Sequence, residues 1–227
     1  SNEILETKLL AGGSGYDVVV PTASPFMARQ IEAGVYQKLD KSKLPNLSNA
    51  WDVVTERVAT FDPGNEYSVN YMWGTTGLGY NTTKVKDALG VDSIDSWSAL
   101  LDPANAAKLA DCGIYVLDSP TDVVPSVLAY LGLDPNSTSP EDLAKVEETL
   151  LAVRPYIRKF HSSEYINALA NGDICLALGF SGDLFQARDR AAEADQGISI
   201  SYAIPKEGAP LWFDQMAIPA DSKTVAE

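Results

Sequence analysis

The sequence is poor in the residues from which metal centres and nucleophilic triads are assembled. His161 is the only histidine and Cys112 and Cys175 are the only cysteines among 227 residues. A zinc site needs a cluster of nitrogen and sulfur ligands, so no metal site is expected. His161 is also the only base that could complete a Ser-His or Cys-His pair. The two cysteines are compatible with buried free thiols and equally with a disulfide. Basic residues are scarce as well: 17 Lys and Arg stand against 31 Asp and Glu, for a net charge of −14. That charge repels phosphate backbones and anionic lipid and weakly attracts cations, so nucleic acid is not an expected partner.

Long apolar runs are missing too, and none approaches the ~20 residues of a membrane-spanning helix, so no membrane insertion is expected. The opening "SNEILETKLLAGG" has neither the basic start nor the apolar centre of a signal peptide, which predicts a soluble chain from which any export signal is already gone. No phosphate-binding loop or dinucleotide fingerprint is present. "GGSGYD" at Gly12 precedes a predicted strand, whereas those loops follow one. "GFSGD" resembles a nucleophile elbow only superficially, because Asp183 occupies the place of the second glycine. No cofactor and no catalytic residue is therefore expected.

What is present is a recurring unit. A short continuous apolar run leads through a small polar turn into an amphipathic stretch, the pattern of parallel strands feeding helices. "YDVVVP" (16–21) leads to a predicted helix over 25–33, with Ser24 as its cap and Gly34 at its stop. "GIYVLD" (113–118) leads through Ser119 and Pro120 to a helix reaching Leu131, and "ICLALGF" (174–180) leads through "SGD". Leu143, Val146, Leu150 and Leu151 form a predicted core stripe on a helix over 140–153. "SSEYINALANGD" reads as another capped helix ending at Gly172, with His161 ahead of it as a cap or surface residue.

Two segments are extended instead. "YSVNYMWGTTGLGYN" (67–81) is long and rich in Gly, Thr, Ser and Tyr, and "GISISYAIP" (197–205) alternates like a half-exposed strand. If each crosses between lobes, residues 1–75 begin one lobe, 76–202 form an inserted lobe, and 203–227 return to the first. Ligands in open α/β sheets collect beyond the carboxyl ends of strands, where the turns converge. The turns nominate Thr22 and Ser24, then Asp118, Ser119 and Asp122, then Ser181 and Asp183. "PLWFDQMAIP" adds Asp214, a charge inside an apolar strand directly after Trp212 and Phe213. Such a charge is costly unless it is paired or faces a cavity. A helix-end role explains Asp183 without a ligand, and a salt bridge to Lys206 or Arg188 would explain Asp214. Core packing would explain Phe180, Trp212 and Phe213. A two-carboxylate glycosidase using Asp183 and Asp214 is the enzyme alternative.

At these residues the sequence resembles the periplasmic polyamine-binding proteins of bacterial ABC transporters, particularly the putrescine-binding branch. The resemblance runs through "YDVVVPTAS", "AGVYQKLDKSKLPN", "YMWGTTGLGYN", "FHSSEYINALANGDICLALGFSGD" and "IPKEGA…PLWFD". It implies a fold of the periplasmic-binding-protein type II kind, with two α/β lobes joined by hinge strands and a ligand captured between them. The same resemblance implies that Asp183 and Asp214 hold the ligand's ammonium groups while Phe180 and Trp212 wall its methylene chain. By that resemblance Thr22 and Ser24 are small polar neighbours of the ligand, Asp122 stands where the family usually has Glu, and Cys112 and Cys175 form a disulfide. The implied protein is a periplasmic monomer, not an enzyme, that hands putrescine or a related polyamine to an ABC transporter permease. Spermidine preference or a chemosensory role is the alternative. Relatives more often carry Trp or Tyr at position 180 and Phe at 212. The resemblance also implies a chain truncated at both ends, stopping within "DSKTVAE" at the start of a helix.

The chemistry suits such a cation. An alkyl diamine is doubly protonated near neutral pH while Asp is ionised, so each end can make charge-assisted hydrogen bonds worth about 1.5–3 kcal/mol net. Ammonium over aromatic faces adds about 0.5–2 kcal/mol.

Overall fold

A computed structural model describes residues 1–224 of the chain; the last part of the helix expected from "DSKTVAE" lies outside them. The chain forms two compact units. One comprises Ser1–Trp73 together with the segment from Trp212 onward, and the other comprises Gly74–Leu211.

The second unit carries a mixed sheet. Its strands are β1 (Ser68–Asn81), which straddles the division between the units, β2 (Ile114–Val116), β3 (Lys159–Phe160), β4 (Leu176–Phe180) and β5 (Ile200–Ala203). They lie in the order β3-β2-β4-β1-β5. β2 is parallel to both β3 and β4, whereas β1 runs antiparallel to β4 and β5. The apolar runs at 113–118 and 174–180 thus form parallel strands as their composition predicts, each followed by a helix, Pro120–Tyr130 and Ser181–Ala194. β1 arrives from the other unit, not through a crossover helix, and this lets it pair antiparallel.

Two glycines let β1 lie where it does. A Cβ at Gly77 would sit 2.5 Å from the Ala203 carbonyl oxygen, and one at Gly79 would sit 2.1 Å from Leu184 Cδ2. Behind the sheet, Leu78, Trp97, Leu109, Ile114, Leu128, Leu169, Ile174, Leu176 and Leu178 form a continuous core. The helix Pro140–Val153 starts at the Ser139 cap as predicted. Its stripe is narrower than predicted: Val146 and Val153 are buried and Leu150 packs against the core, but Leu143 and Leu151 are exposed. Leu151 follows Leu150 directly, so it projects about 100° around the helix from that face.

The first unit is built on short elements. β6 (Leu211–Ala217) pairs with β1, and the predicted strand at 16–21 is reduced to one isolated antiparallel bridge, Val19 to Ala217, with a second just beyond it, Thr22 to Asp214. Alternation decides the outcome: Val19 is buried beside Leu9, Met27, Tyr36 and Ala217, while Val18 and Val20 face outward at 58% and 41% exposure. The expected helix over 25–33 is likewise shorter. Ser24 has extended dihedrals, as a residue ahead of proline prefers, so α-helix proper is confined to Ala28–Glu32, with Gly34 beyond it at φ 71°. A second small core joins Ala23, Val54, Val58 and Phe213.

Asp62 is fully buried. It accepts hydrogen bonds from the backbone N–H groups of Glu66, Tyr67 and Ser68 and from the Ser68 hydroxyl, which fixes the turn leading into β1. Multiple donors are what make a buried carboxylate tolerable.

Candidate functional site

In the second unit the predicted residues gather at the carboxyl ends of β2 and β4, where the parallel strands hand over to helices. Thr76 of β1 lies opposite Phe180 of β4 in register. Thr76 is fully buried, and its hydroxyl donates to Asp122 Oδ1 at 2.7 Å. The other oxygen of Asp122 accepts from the Ser119 hydroxyl at 2.6 Å. Asp122 is therefore held at both oxygens, in the first turn of its helix, where the backbone dipole favours a carboxylate.

Asp183 occupies the first turn of the helix Ser181–Ala194. The helix-end role and a ligand-facing role coincide there, because the helix begins directly at the end of β4. Its carboxylate is half-buried and Oδ2 accepts from the Tyr165 hydroxyl at 2.6 Å. The same hydroxyl accepts from the backbone N–H of Phe180 at 3.1 Å. Burial, and then the bond to Asp183, push the Tyr165 phenol far above its ordinary value, so it stays protonated.

Ser181 Oγ accepts from the Thr75 backbone N–H at 3.2 Å. The Tyr202 hydroxyl, its phenol raised by burial, lies 2.7 Å from Thr75 Oγ1 and donates to the Thr75 carbonyl at 3.2 Å. These contacts hold β1 at Thr75. Phe180 is half-buried and packs on the unit's core.

In the first unit, β6 alternates cleanly. Phe213, Gln215 and Ala217 face inward, and Trp212 and Asp214 are half-buried on the opposite face. The charge in this strand is thus on its outer side, with a dedicated donor. Thr22 Oγ1 donates to Asp214 Oδ1 at 2.8 Å. Asn2 fixes Thr22 in turn: its amide donates to Thr22 Oγ1 and its carbonyl accepts the Thr22 N–H, both at 3.0 Å. Asn70 donates to the Asp214 carbonyl at 3.3 Å. The cations considered as salt-bridge partners pair elsewhere, Lys206 with Asp95 and Arg188 with Asp189. Ser24 is exposed, two residues from Thr22.

Cys112 and Cys175 form a disulfide with Cα atoms 5.5 Å apart, joining the end of one helical segment to the residue before β4. His161 caps the next helix: Nδ1 accepts the backbone N–H groups of Ser163 and Glu164 at 3.1 Å each. Among the described residues no group of His, Cys, Asp and Glu side chains could hold a metal ion, and no helix is long and apolar enough to cross a membrane.

The network contains residues that the sequence did not single out: Asn2, Thr76, Tyr165 and Tyr202. Thr76 carried a signal in the Gly-flanked "GTTGLG", where a polar pair inside a strand needs partners. Tyr165 sat in a helix that its capping and apolar spacing already explained. Asn2 carried none.

The chain thus has a mixed α/β unit whose polar residues gather at strand carboxyl ends and a second unit joined to it by two chain crossings. The chain belongs to the bacterial extracellular solute-binding proteins, whose family model matches residues 3–227. It is 54% identical, over 98% of its length, to the putrescine-binding periplasmic protein SpuD of Pseudomonas aeruginosa. It is 53% identical, over its full length, to the putrescine-binding periplasmic protein PotF of Escherichia coli. The chain spans 61% and 62% of the length of these relatives. Among solved structures, the TpPotD lipoprotein of Treponema pallidum superposes with a TM-score of 0.82 at 30% identity, covering 99% of this chain and 66% of that one.

Proposed function

We propose that this chain is part of a periplasmic receptor that binds a linear polyamine, putrescine in preference to spermidine, and delivers it to the permease of an ABC importer without catalysing a reaction. The observation that carries the reading is the identity of more than half the residues with two relatives named for putrescine. The geometry supports it in chemical terms. Asp183 and Asp214 are half-buried carboxylates, each held at one oxygen by a neutral hydroxyl, from Tyr165 and from Thr22. A hydroxyl donor leaves a carboxylate its full negative charge, and a charged carboxylate is the natural counter-ion for an ammonium group.

In this reading one ammonium end of the diamine is bound by Asp183 and the other by Asp214, with Phe180 and Trp212 against the methylene chain. Thr22, Ser24 and Asp122 supply polar surroundings. Two charge-assisted ends with an apolar middle are sufficient for micromolar affinity, which requires about 8 kcal/mol net. Residues 1–75 and 203–227 as one lobe, with 76–202 inserted as the other, are the proposed division of the chain. Calorimetry on the full-length protein with putrescine, spermidine and butylamine tests the reading. Putrescine should bind tightest and butylamine, with one charged end, at least tenfold more weakly. Absence of heat with either polyamine overturns it.

A further inference from the structure

We propose that Tyr165 is the positioning residue for the cation-binding carboxylate of Asp183, an inference that rests on the polyamine reading above. The tyrosine is fully buried, so its ring has no freedom to move the hydroxyl. Space for the ring is made by Gly179, where a Cβ would lie 2.6 Å from Tyr165 Cε2. The hydroxyl's hydrogen-bonding capacity is directed by its surroundings. It accepts the Phe180 N–H at 3.1 Å and donates to Asp183 Oδ2 at 2.6 Å. With its acceptor side turned to a backbone donor, the phenol presents only its proton to Asp183, and a carboxylate is the species that best accepts it.

The consequence is a carboxylate fixed in rotamer before any ligand arrives. Oδ2 is tied to the end of β4 through the phenol. Binding an ammonium group then needs no further ordering of the Asp183 side chain, and preorganisation of this kind raises affinity. A phenylalanine would fill the same volume and lose the hydroxyl's two bonds, to Asp183 and from the Phe180 N–H. The hydroxyl is thus separable from the ring's packing.

The test is a double-mutant cycle on the full-length protein, with putrescine binding read by calorimetry in wild type, Tyr165→Phe, Asp183→Asn and the double variant. Tyr165→Phe should weaken putrescine about tenfold in the wild-type background and less than threefold in the Asp183→Asn background, because its effect passes through the carboxylate. Equal losses in both backgrounds, or unchanged binding by folded Tyr165→Phe, overturn the proposal. Should Tyr165→Phe fail to fold, the ligand-free wild type decides. The Asp183 side-chain carboxyl 13C resonance should shift between H2O and D2O through the hydroxyl bond, and absence of that isotope shift overturns the proposal. Wild type silent toward putrescine but showing the isotope shift locates the failure in the polyamine reading, and the ligand-positioning role falls with it.

Discussion

The hydroxyl of Thr22 donates to Asp214 across 192 residues of sequence, at 2.8 Å, and joins an early bridge residue to a late strand within one unit. Asn2 holds Thr22 on both its hydroxyl and its N–H. Replacing Thr22 by Val keeps the shape and removes both side-chain bonds. Thr22→Val should lower putrescine affinity about three- to tenfold by calorimetry and cost about 1 kcal/mol of stability in urea unfolding.

Asp214→Asn keeps the Thr22 bond possible but removes the charge. In the proposed receptor an ammonium group would then be left without its counter-ion, at a cost of about 2–5 kcal/mol of binding, and Asp183→Asn should behave alike. Calorimetric affinities unchanged in both variants would contradict the assignment of these carboxylates.

The Cys112–Cys175 bridge closes a segment with a sequence separation of 63, and Cys175 is part of the core of the second unit with Cys112 packed against it. Constraint of the unfolded chain by a loop of this size is worth about 2–4 kcal/mol. Thermal unfolding with and without reductant should show the reduced protein less stable by that amount, and Cys112→Ala/Cys175→Ala should match the reduced form.

Gly77→Ala in β1 would place a Cβ 2.5 Å from both the Ala203 carbonyl oxygen and the Tyr202 hydroxyl. A backbone oxygen in a paired strand cannot retreat without opening the sheet. The variant should lose about 1–3 kcal/mol in denaturant unfolding, with weakened pairing of β1 to β5 seen as faster amide exchange at Leu78 and Ala203.

Asp221 accepts hydrogen bonds from the backbone N–H and hydroxyl of Ser14. The backbone N–H, first, and then the hydroxyl hold its carboxyl below the ordinary value of 3.8. A folded-state value below the unfolded one gives stability that is present above pH 3.8 and is lost as pH falls through the folded value. Asp221→Asn should therefore be less stable than wild type at neutral pH, and the difference should shrink as pH is lowered below 3.8. Urea midpoints measured at several pH values check this.

The repeated unit of apolar run, turn and helix was legible because burial of a parallel strand on both faces demands unbroken apolar residues, as in Ile174–Phe180. The same rule misread "YDVVVP". Its continuous valines look like a central strand, yet only Val19 has an inward place and the backbone makes one isolated bridge. Nor did composition disclose strand direction. β1 is antiparallel to β4 because of how the chain enters the sheet, a fact of connectivity beyond the reach of local propensity.

What the sequence by itself determined was the chemistry available: acidic residues beside aromatics at the ends of apolar runs, a cysteine pair, almost no histidine, and helix starts marked by Ser and Pro. These are local properties, set by residue type and by neighbours within a few positions. The tertiary structure alone decided which hydroxyl serves which carboxylate. Thr22 finds Asp214, Thr76 finds Asp122 and Tyr165 finds Asp183 across separations of 192, 46 and 18 residues. A hydrogen bond needs its partners placed within tenths of an ångström, and such placement follows from strand register and close glycine packing, which no single stretch of the chain encodes.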